Sequence, residues 1–358
     1  RAPRAVLVAL AGCAAVVACL YIPANGAFPL VLVSVIHAAA LAPLVPLADA
    51  LTLAAIRTDH VRYGWVRGGG SAAFILGTGR CGSTLVHELI ARHPATGFVT
   101  NLDDLGVRQG NAQQLTLWRR LPAAVSEKGR ARLAPSEGYR VLAREVSPAI
   151  VDPVQDPTAA DLTPWLEQRL HAFVEKRMSG LDSAEIFLHK FTGWPRASLI
   201  AAAFPDARFV HIVRDGRAVA NSWLQMDWWK GHLGPAGWHF GPLPPELDAA
   251  WAATGRSQPA LAAIAWRMLV DRHEECAAEL GDRWLTVRYE DVLADSRTHL
   301  ERILVHIGLS WTDAFESGIA RYTLSPSRKA AYLKDLTPEQ VATMESLIGD
   351  QLARYDYA

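Results

Sequence analysis

Apolar and polar positions divide this chain into two unlike parts. Residues 5–48 contain no Asp, Glu, Lys or Arg, a run well beyond the roughly 20 apolar residues that one helix needs to cross a bilayer. Pro23, Asn25, Gly26 and Pro29 are turn formers, and they split the run into residues 5–22 and 30–47. The pattern predicts an apolar helical hairpin within residues 1–60, embedded in or associated with a lipid bilayer. Arg1 and Arg4 flank one end and Arg57, Arg62 and Arg67 the other, so two crossings would leave both ends, and the rest of the chain, on the cytoplasmic side. Pro43 and Pro46 weaken the second span. The same residues also fit a single signal-anchor crossing, a re-entrant or interfacial segment, or a buried helical pair.

Past the glycines at 68–70 the pattern changes. Apolar runs at 72–76, 186–188, 209–213 and 284–287 read as buried strands. Amphipathic spacing predicts helices over 83–92, 261–280, 297–307 and 338–352, and others starting near Pro195 and Gly216. Such alternation predicts an α/β fold for residues 68–358, with a parallel sheet covered on both faces. Between Asn101 and Pro164 the pattern supports only loops and short helices.

Half of the 358 residues are apolar, enough for one large α/β domain beside the N-terminal segment. Lys plus Arg and Asp plus Glu number 36 each, which excludes a general attraction to nucleic acid and leaves anion binding to a local site. Cys13, Cys19, Cys81 and Cys276 form neither a disulfide framework nor a zinc-ligand set, so a reducing compartment is expected. The chain opens with Arg rather than Met, and the charge count of its amino end is taken as incomplete. Trp223, Trp228, Trp229, Trp238 and Trp251 crowd a Gly- and Pro-rich stretch that suits a substrate lid, a membrane-interface contact or an ordinary packed insertion.

The local anion site has a sequence. Gly77-Thr78-Gly79-Arg80-Cys81-Gly82-Ser83-Thr84 follows the first strand and opens a helix, the setting in which backbone N–H groups hold a phosphate. Its spacing is that of a P-loop, but Ser83 stands where the nucleotide-binding Lys would be, and the positive charge is Arg80, inside the loop. A second segment ends a strand at Arg214 and carries Ser222 two turns into the next helix. Together the two segments resemble the sulfotransferase family that uses 3′-phosphoadenosine 5′-phosphosulfate (PAPS), whose loops read close to P-R-S-G-T-T-L and R-D-G-R/P-x-x-x-x-S. Lys190 before Phe-Thr-Gly, the Phe204-Pro205-Asp206-Ala207 run and Val287-Arg288-Tyr289-Glu290-Asp291 extend the resemblance over residues 71–309. The Arg in the loop is similar to that of tyrosylprotein, carbohydrate and bacterial members.

This resemblance implies a P-loop-like three-layer sandwich that moves the sulfuryl group of PAPS to an acceptor hydroxyl without a metal. It places the 5′-phosphosulfate on Gly79, Arg80, Cys81, Gly82, Ser83 and Thr84, the 3′-phosphate on Arg214 and Ser222, and adenine near Tyr289. Arg80 suits charge stabilisation on the leaving oxygen, and Lys190 follows a strand from which it can reach the sulfuryl group or its acceptor. Relatives in that branch carry a basic Glu after the His-Pro that closes the first helix; seven residues on from Pro94 is Asn101, which takes up no proton at neutral pH. The base role then falls to Asp103, Asp104 or a His such as His189 or His211. A P-loop-type nucleotide or small-molecule kinase is the enzymatic alternative, disfavoured by the missing Lys. The apolar N-terminus and the Trp-rich stretch tilt the expected acceptor toward a lipophilic hydroxyl compound.

Overall fold

A computed structural model describes residues 13, 15–21, 26–42, 71–106, 112–122, 133–181, 183–324 and 330–357, and the chain divides into two units, Arg1–Gly68 and Gly69–Ala358. In the first unit residues 15–19 are helical and helix α1 spans Ala27–Leu41. The Tyr21 hydroxyl donates to Ser34 Oγ at 3.1 Å, and its ring meets His37 edge-on. The 15 residues of α1 cover about 22 Å, short of the roughly 30 Å of hydrocarbon in a bilayer. No helix among the described residues is long and apolar enough to cross a membrane, which corrects the expected membrane-spanning hairpin. The reason is length, because the chain bends at Gly26 and the helix that follows has only 15 residues, Ser34 and His37 among them. The remainder of both runs, Pro23, Asn25, Pro43, Pro46, the flanking Arg1, Arg4, Arg57, Arg62 and Arg67, and the glycines at 68–70 lie outside the described residues.

In the second unit five strands, β1 (Ser71–Gly77), β2 (Thr96–Phe98), β3 (Ile186–Thr192), β4 (Arg208–Val213) and β5 (Trp284–Arg288), form one sheet. Its order is β2-β3-β1-β4-β5 and every pairing is parallel. Residues 72–77 of β1 are all buried, and Phe74 stacks against Phe209 at 5.7 Å and Phe191 at 6.1 Å. A continuous apolar run, rather than alternation, is what a strand needs when both faces of its sheet are covered. Three strands match the expected positions with ends extended by a few residues; β5 runs to Arg288. The added strand β2 has three residues with Gly97 at its centre, too short to give a periodic signal.

The chain leaves β1 toward β2 and β3 and later crosses to β4 and β5, so its direction reverses beside the C-terminal end of β1. In open α/β sheets that reversal leaves a crevice for ligand. The helices that matter to it are α2 (Ser83–Ala91), α3 (Asn101–Asp104), α4 (Tyr139–Glu145), α5 (Gly216–Leu224), α6 (Gln258–Leu280), α7 (Tyr289–Ala294) and α8 (Pro338–Arg354). Helix α6 packs on α5 and α8 and begins where Ser257 Oγ accepts the Ala260 N–H, a side-chain cap of the usual N-terminal kind. Of the five tryptophans in the Gly- and Pro-rich stretch, Trp223, Trp229, Trp238 and Trp251 are buried and only Trp228 is exposed. Trp223 stacks on Trp229 at 5.8 Å and meets Phe240 at 5.3 Å, so most of these rings pack together as a core of that stretch.

Candidate active site

The ends of β1, β3 and β4 bring the two anion loops of the sequence into contact. After β1 the chain passes through Gly79 at φ 79°, Arg80 at φ 56° and Gly82 at φ 92°. Position 82 requires glycine twice over, by its positive φ and because a Cβ there would fall inside the Tyr289 ring. Helix α2 then starts with no side-chain cap and no acidic residue in its first turn, so its leading N–H groups and partial positive charge are open to an anion.

Arg80 occupies the left-handed region, which costs a residue with a side chain on the order of 1 kcal/mol. Its neighbours hold it there. Arg80 Nε donates to Ser222 Oγ at 2.9 Å, and its carbonyl accepts from Arg214 Nη1 at 3.0 Å. The Arg214 guanidinium lies 5.5 Å from the centre of the Tyr289 ring. Arg80, Gly82, Arg214, Ser222 and Tyr289, drawn from β1, β4, α5 and α7 and their loops, are therefore one cluster. Cys81 and Ser83 are buried beneath it, with Cys81 Sγ packed against Gly77. The fully buried Trp223 has an indole N–H without a partner among the described residues. A Cβ on Gly79 would stand 3.8 Å from that nitrogen, so an N–H donor faces the loop, as a group that holds an anion requires.

Lys190, near the end of β3, lies buried on the other side of the loop. Its Nζ is 2.6 Å from Thr84 Oγ1 and 2.5 Å from Glu137 Oε1. The second Glu137 oxygen accepts from Thr192 Oγ1 at 3.1 Å, and Tyr139 OH is 2.8 Å from the same hydroxyl. Burial by itself would raise the Glu137 carboxyl, but the Lys190 charge and the hydrogen bonds from Lys190, Tyr139 and Thr192 hold it below the usual carboxylate range. Glu137, Tyr139 and Trp223 carried no signal of chemistry in the sequence. Glu137 and Tyr139 sit in the stretch without clear periodicity, and Trp223 was one of five rings in a stretch that suited a lid, a membrane-interface contact or a packed insertion.

The acids considered for the base are engaged as helix caps, and the imidazoles are enclosed among core rings. Asp103 Oδ2 accepts from Thr100 N at 2.8 Å and Thr100 Oγ1 at 2.6 Å, a capping box that starts α3. Asp104 Oδ1 accepts the N–H groups of Arg140 and Val141 at 2.8 and 3.2 Å and so caps α4, whose own cap residue is Gly138. His189 is buried between Phe187 and Phe191, and burial pushes its imidazole down to about 3. His211 stacks on His273 at 4.3 Å; burial, then the charge of His273, keeps it well below its ordinary value. Asn101 is the first residue of α3.

Comparisons with known proteins agree with this arrangement. A model described as the sulfotransferase family matches residues 72–313. Two curated relatives, both named omega-hydroxy-beta-dihydromenaquinone-9 sulfotransferase Stf3, come from Mycobacterium bovis and Mycobacterium tuberculosis. Each is 25% identical over 169 residues, which cover 45% of this chain and only 38% of the relative. Among solved structures, sulfotransferase STF9 from Mycobacterium avium superposes with a TM-score of 0.50 at 17% identity, covering 91% of this chain and 86% of that one. That likeness is one of fold.

Proposed function

The chain belongs to the sulfotransferase family, and from that premise we propose that it transfers the sulfuryl group of PAPS to the hydroxyl of a lipophilic acceptor. The observation that carries the reading is the junction of the two anion loops, Arg80 on Ser222 and Arg214 on the Arg80 carbonyl, at the open N-terminus of α2. The group moved is a planar SO₃ unit passing in line between two oxygens, so the protein's task is positioning and stabilising charge. The α2 N–H groups with Ser83 and Thr84 hold the 5′-phosphate. Arg80, a fixed charge with a forked donor, serves the leaving oxygen. Arg214 and Ser222 hold the 3′-phosphate by charge-assisted and hydroxyl hydrogen bonds, Tyr289 borders the adenine, and Lys190 reaches the sulfuryl group. The donor's 5′-phosphate has no neighbouring phosphate with which to chelate a cation, so these groups supply the compensation that Mg²⁺ gives a kinase.

Calorimetric titration with PAP, the desulfated donor, and with ATP separates this reading from a kinase. PAP is expected to bind at least about tenfold more tightly, with its binding unchanged in excess EDTA. Preference for ATP, lost in EDTA and restored by Mg²⁺, would overturn the proposal.

The lipophilic acceptor is supported by the name of the two mycobacterial relatives and by α1, which exposes Phe28, Val31 and Val35. The exposed apolar side chains of α1 also support placing the N-terminal unit at a membrane, and the arginines that flank it support a cytoplasmic catalytic domain. In sealed spheroplasts the catalytic domain should resist external protease while the chain sediments with membranes. Cleavage from outside would reject the orientation, and release by high salt alone would reject insertion.

A further inference from the structure

Glu137 is a carboxylate of this site that caps no helix, and it touches Lys190. We infer that Glu137 is the general base of the reaction, held in check by Lys190 until PAPS draws the lysine away. The assignment rests on the sulfuryl-transfer reading of this site. Its starting point is geometric: Lys190 Nζ bridges Glu137 Oε1 at 2.5 Å and Thr84 Oγ1 at 2.6 Å. Thr84 belongs to the first turn of α2, where the donor's phosphosulfate is bound. Glu137 is thus joined through one lysine to the loop proposed to hold the sulfuryl group. Asp103 and Asp104 are held by backbone and hydroxyl donors as helix caps, and His189 and His211 are enclosed in the core.

A carboxylate paired with an ammonium is a weak base, since the charge that stabilises it lowers its affinity for a proton. In Glu137 that pairing outweighs burial. Bound PAPS is an anion with its charge beside Thr84, and it competes for the same ammonium. Once Lys190 is shared with the donor, burial and the added negative charge both act to raise the Glu137 carboxyl. The other groups facing Glu137 do not reverse this. Tyr139 is kept protonated by burial and by the Glu137 charge itself, His189 is neutral, and Arg196, further off, is a charge that both states share. The base therefore gains strength only when the nucleotide's anionic charge lies beside Thr84.

The step balances as a simple displacement. Glu137 takes the acceptor hydroxyl proton as the acceptor oxygen forms its bond to sulfur. The bond from sulfur to the 5′-phosphate oxygen breaks, and its electron pair leaves on PAP. Glu137 then returns the proton to water, giving a sulfate ester and PAP.

Two measurements on the full chain test this, with PAP as the binding probe and with PAPS plus geranylgeraniol in detergent, or water alone, as the reaction. Because the Glu137 pKa is higher with ligand bound than without, PAP binding takes up protons between the free and bound values and tightens as pH falls through that window. Calorimetry in buffers of different ionisation enthalpy reads this directly. Glu137→Gln abolishes the uptake, binds PAP at least as tightly as the wild type does, and lowers PAP release from PAPS by about a hundredfold or more. Formate partly restores the rate of Glu137→Ala. In the wild type the acid limb of kcat lies at higher pH than that of kcat/KM. Turnover of Glu137→Gln within about threefold of wild type would overturn the base, as would an equal loss of PAP affinity and rate, which would make Glu137 a positioner of Lys190. Should Glu137→Gln fail to fold, Glu137→Asp decides, since an unmoved acid limb there would also overturn it. A wild type that does not bind PAP rejects the sulfotransferase reading itself, a result distinct from all of these.

Discussion

Arg80→Ala is expected to lower turnover with PAPS by at least about a hundredfold, the order of loss seen when one preorganised donor aimed at developing charge is removed. The guanidinium is preorganised in two ways. Its backbone is held at φ 56°, and its Nε is engaged by Ser222 at 2.9 Å, which leaves the two outer nitrogens of the fork to face a ligand. Charge on the leaving oxygen grows in the transition state, so the loss appears mainly in kcat, with a smaller fall in PAP affinity. Arg80→Lys keeps the charge but not the fork and should fall between the two. The comparison is made by steady-state release of PAP, with thermal unfolding as the check on folding. Turnover of a folded Arg80→Ala variant within a few-fold of wild type would remove this residue from the chemistry.

Arg214→Ala should erase the preference for PAP over adenosine 5′-phosphate, which lacks the 3′-phosphate. In the wild type that preference is expected to be on the order of a hundredfold, as for one charge-assisted contact with a phosphate in a partly enclosed site. Two effects combine in the variant. The direct cation is lost, and so is the hydrogen bond from Nη1 to the Arg80 carbonyl at 3.0 Å, which helps to hold the first loop. A companion, Ser222→Ala, removes the hydroxyl that meets Arg80 Nε and that would join Arg214 on the 3′-phosphate, while leaving the Arg214 cation and its bond to the Arg80 carbonyl in place. Its preference should drop by less. Competition binding with the two nucleotides reads both variants, and an unchanged ratio in Arg214→Ala would show that the 3′-phosphate binds elsewhere.

The sequence was most informative where one local requirement fixes the residue type. Buried parallel strands favour apolar runs, which made β1 visible as an unbroken one and β3 and β4 as short runs ended or interrupted by His189, Lys190 and His211. A loop that turns through positive φ and opens a helix needs glycine at Gly79 and Gly82, which marked the anion site. Arg214 at a strand end and Ser222 two turns on were legible through their spacing, because strand and helix fix where those positions point.

The N-terminal segment shows where such reading overreaches. Its composition counts apolar residues, whereas a span needs them in one unbroken helix, and α1 is only 15 residues long.

Within the catalytic domain, local pattern by itself determined the α/β class, the phosphate-loop geometry and the identity of the two cationic segments, since each follows from contacts between residues close in the chain. Tertiary structure alone decided what those segments touch. The contacts of Arg80 with Ser222 and of Lys190 with Thr84 join residues 142 and 106 positions apart. Sheet order sets them, and no periodicity along the chain encodes it. The same holds for the carboxylate. Asp103 and Asp104 looked available because acids in a loop usually face water, but the folded chain uses both to satisfy helix N–H groups. Glu137, in a stretch with no pattern, is brought to Lys190 because α4 follows it and packs beside α3, and a buried lysine needs a partner charge.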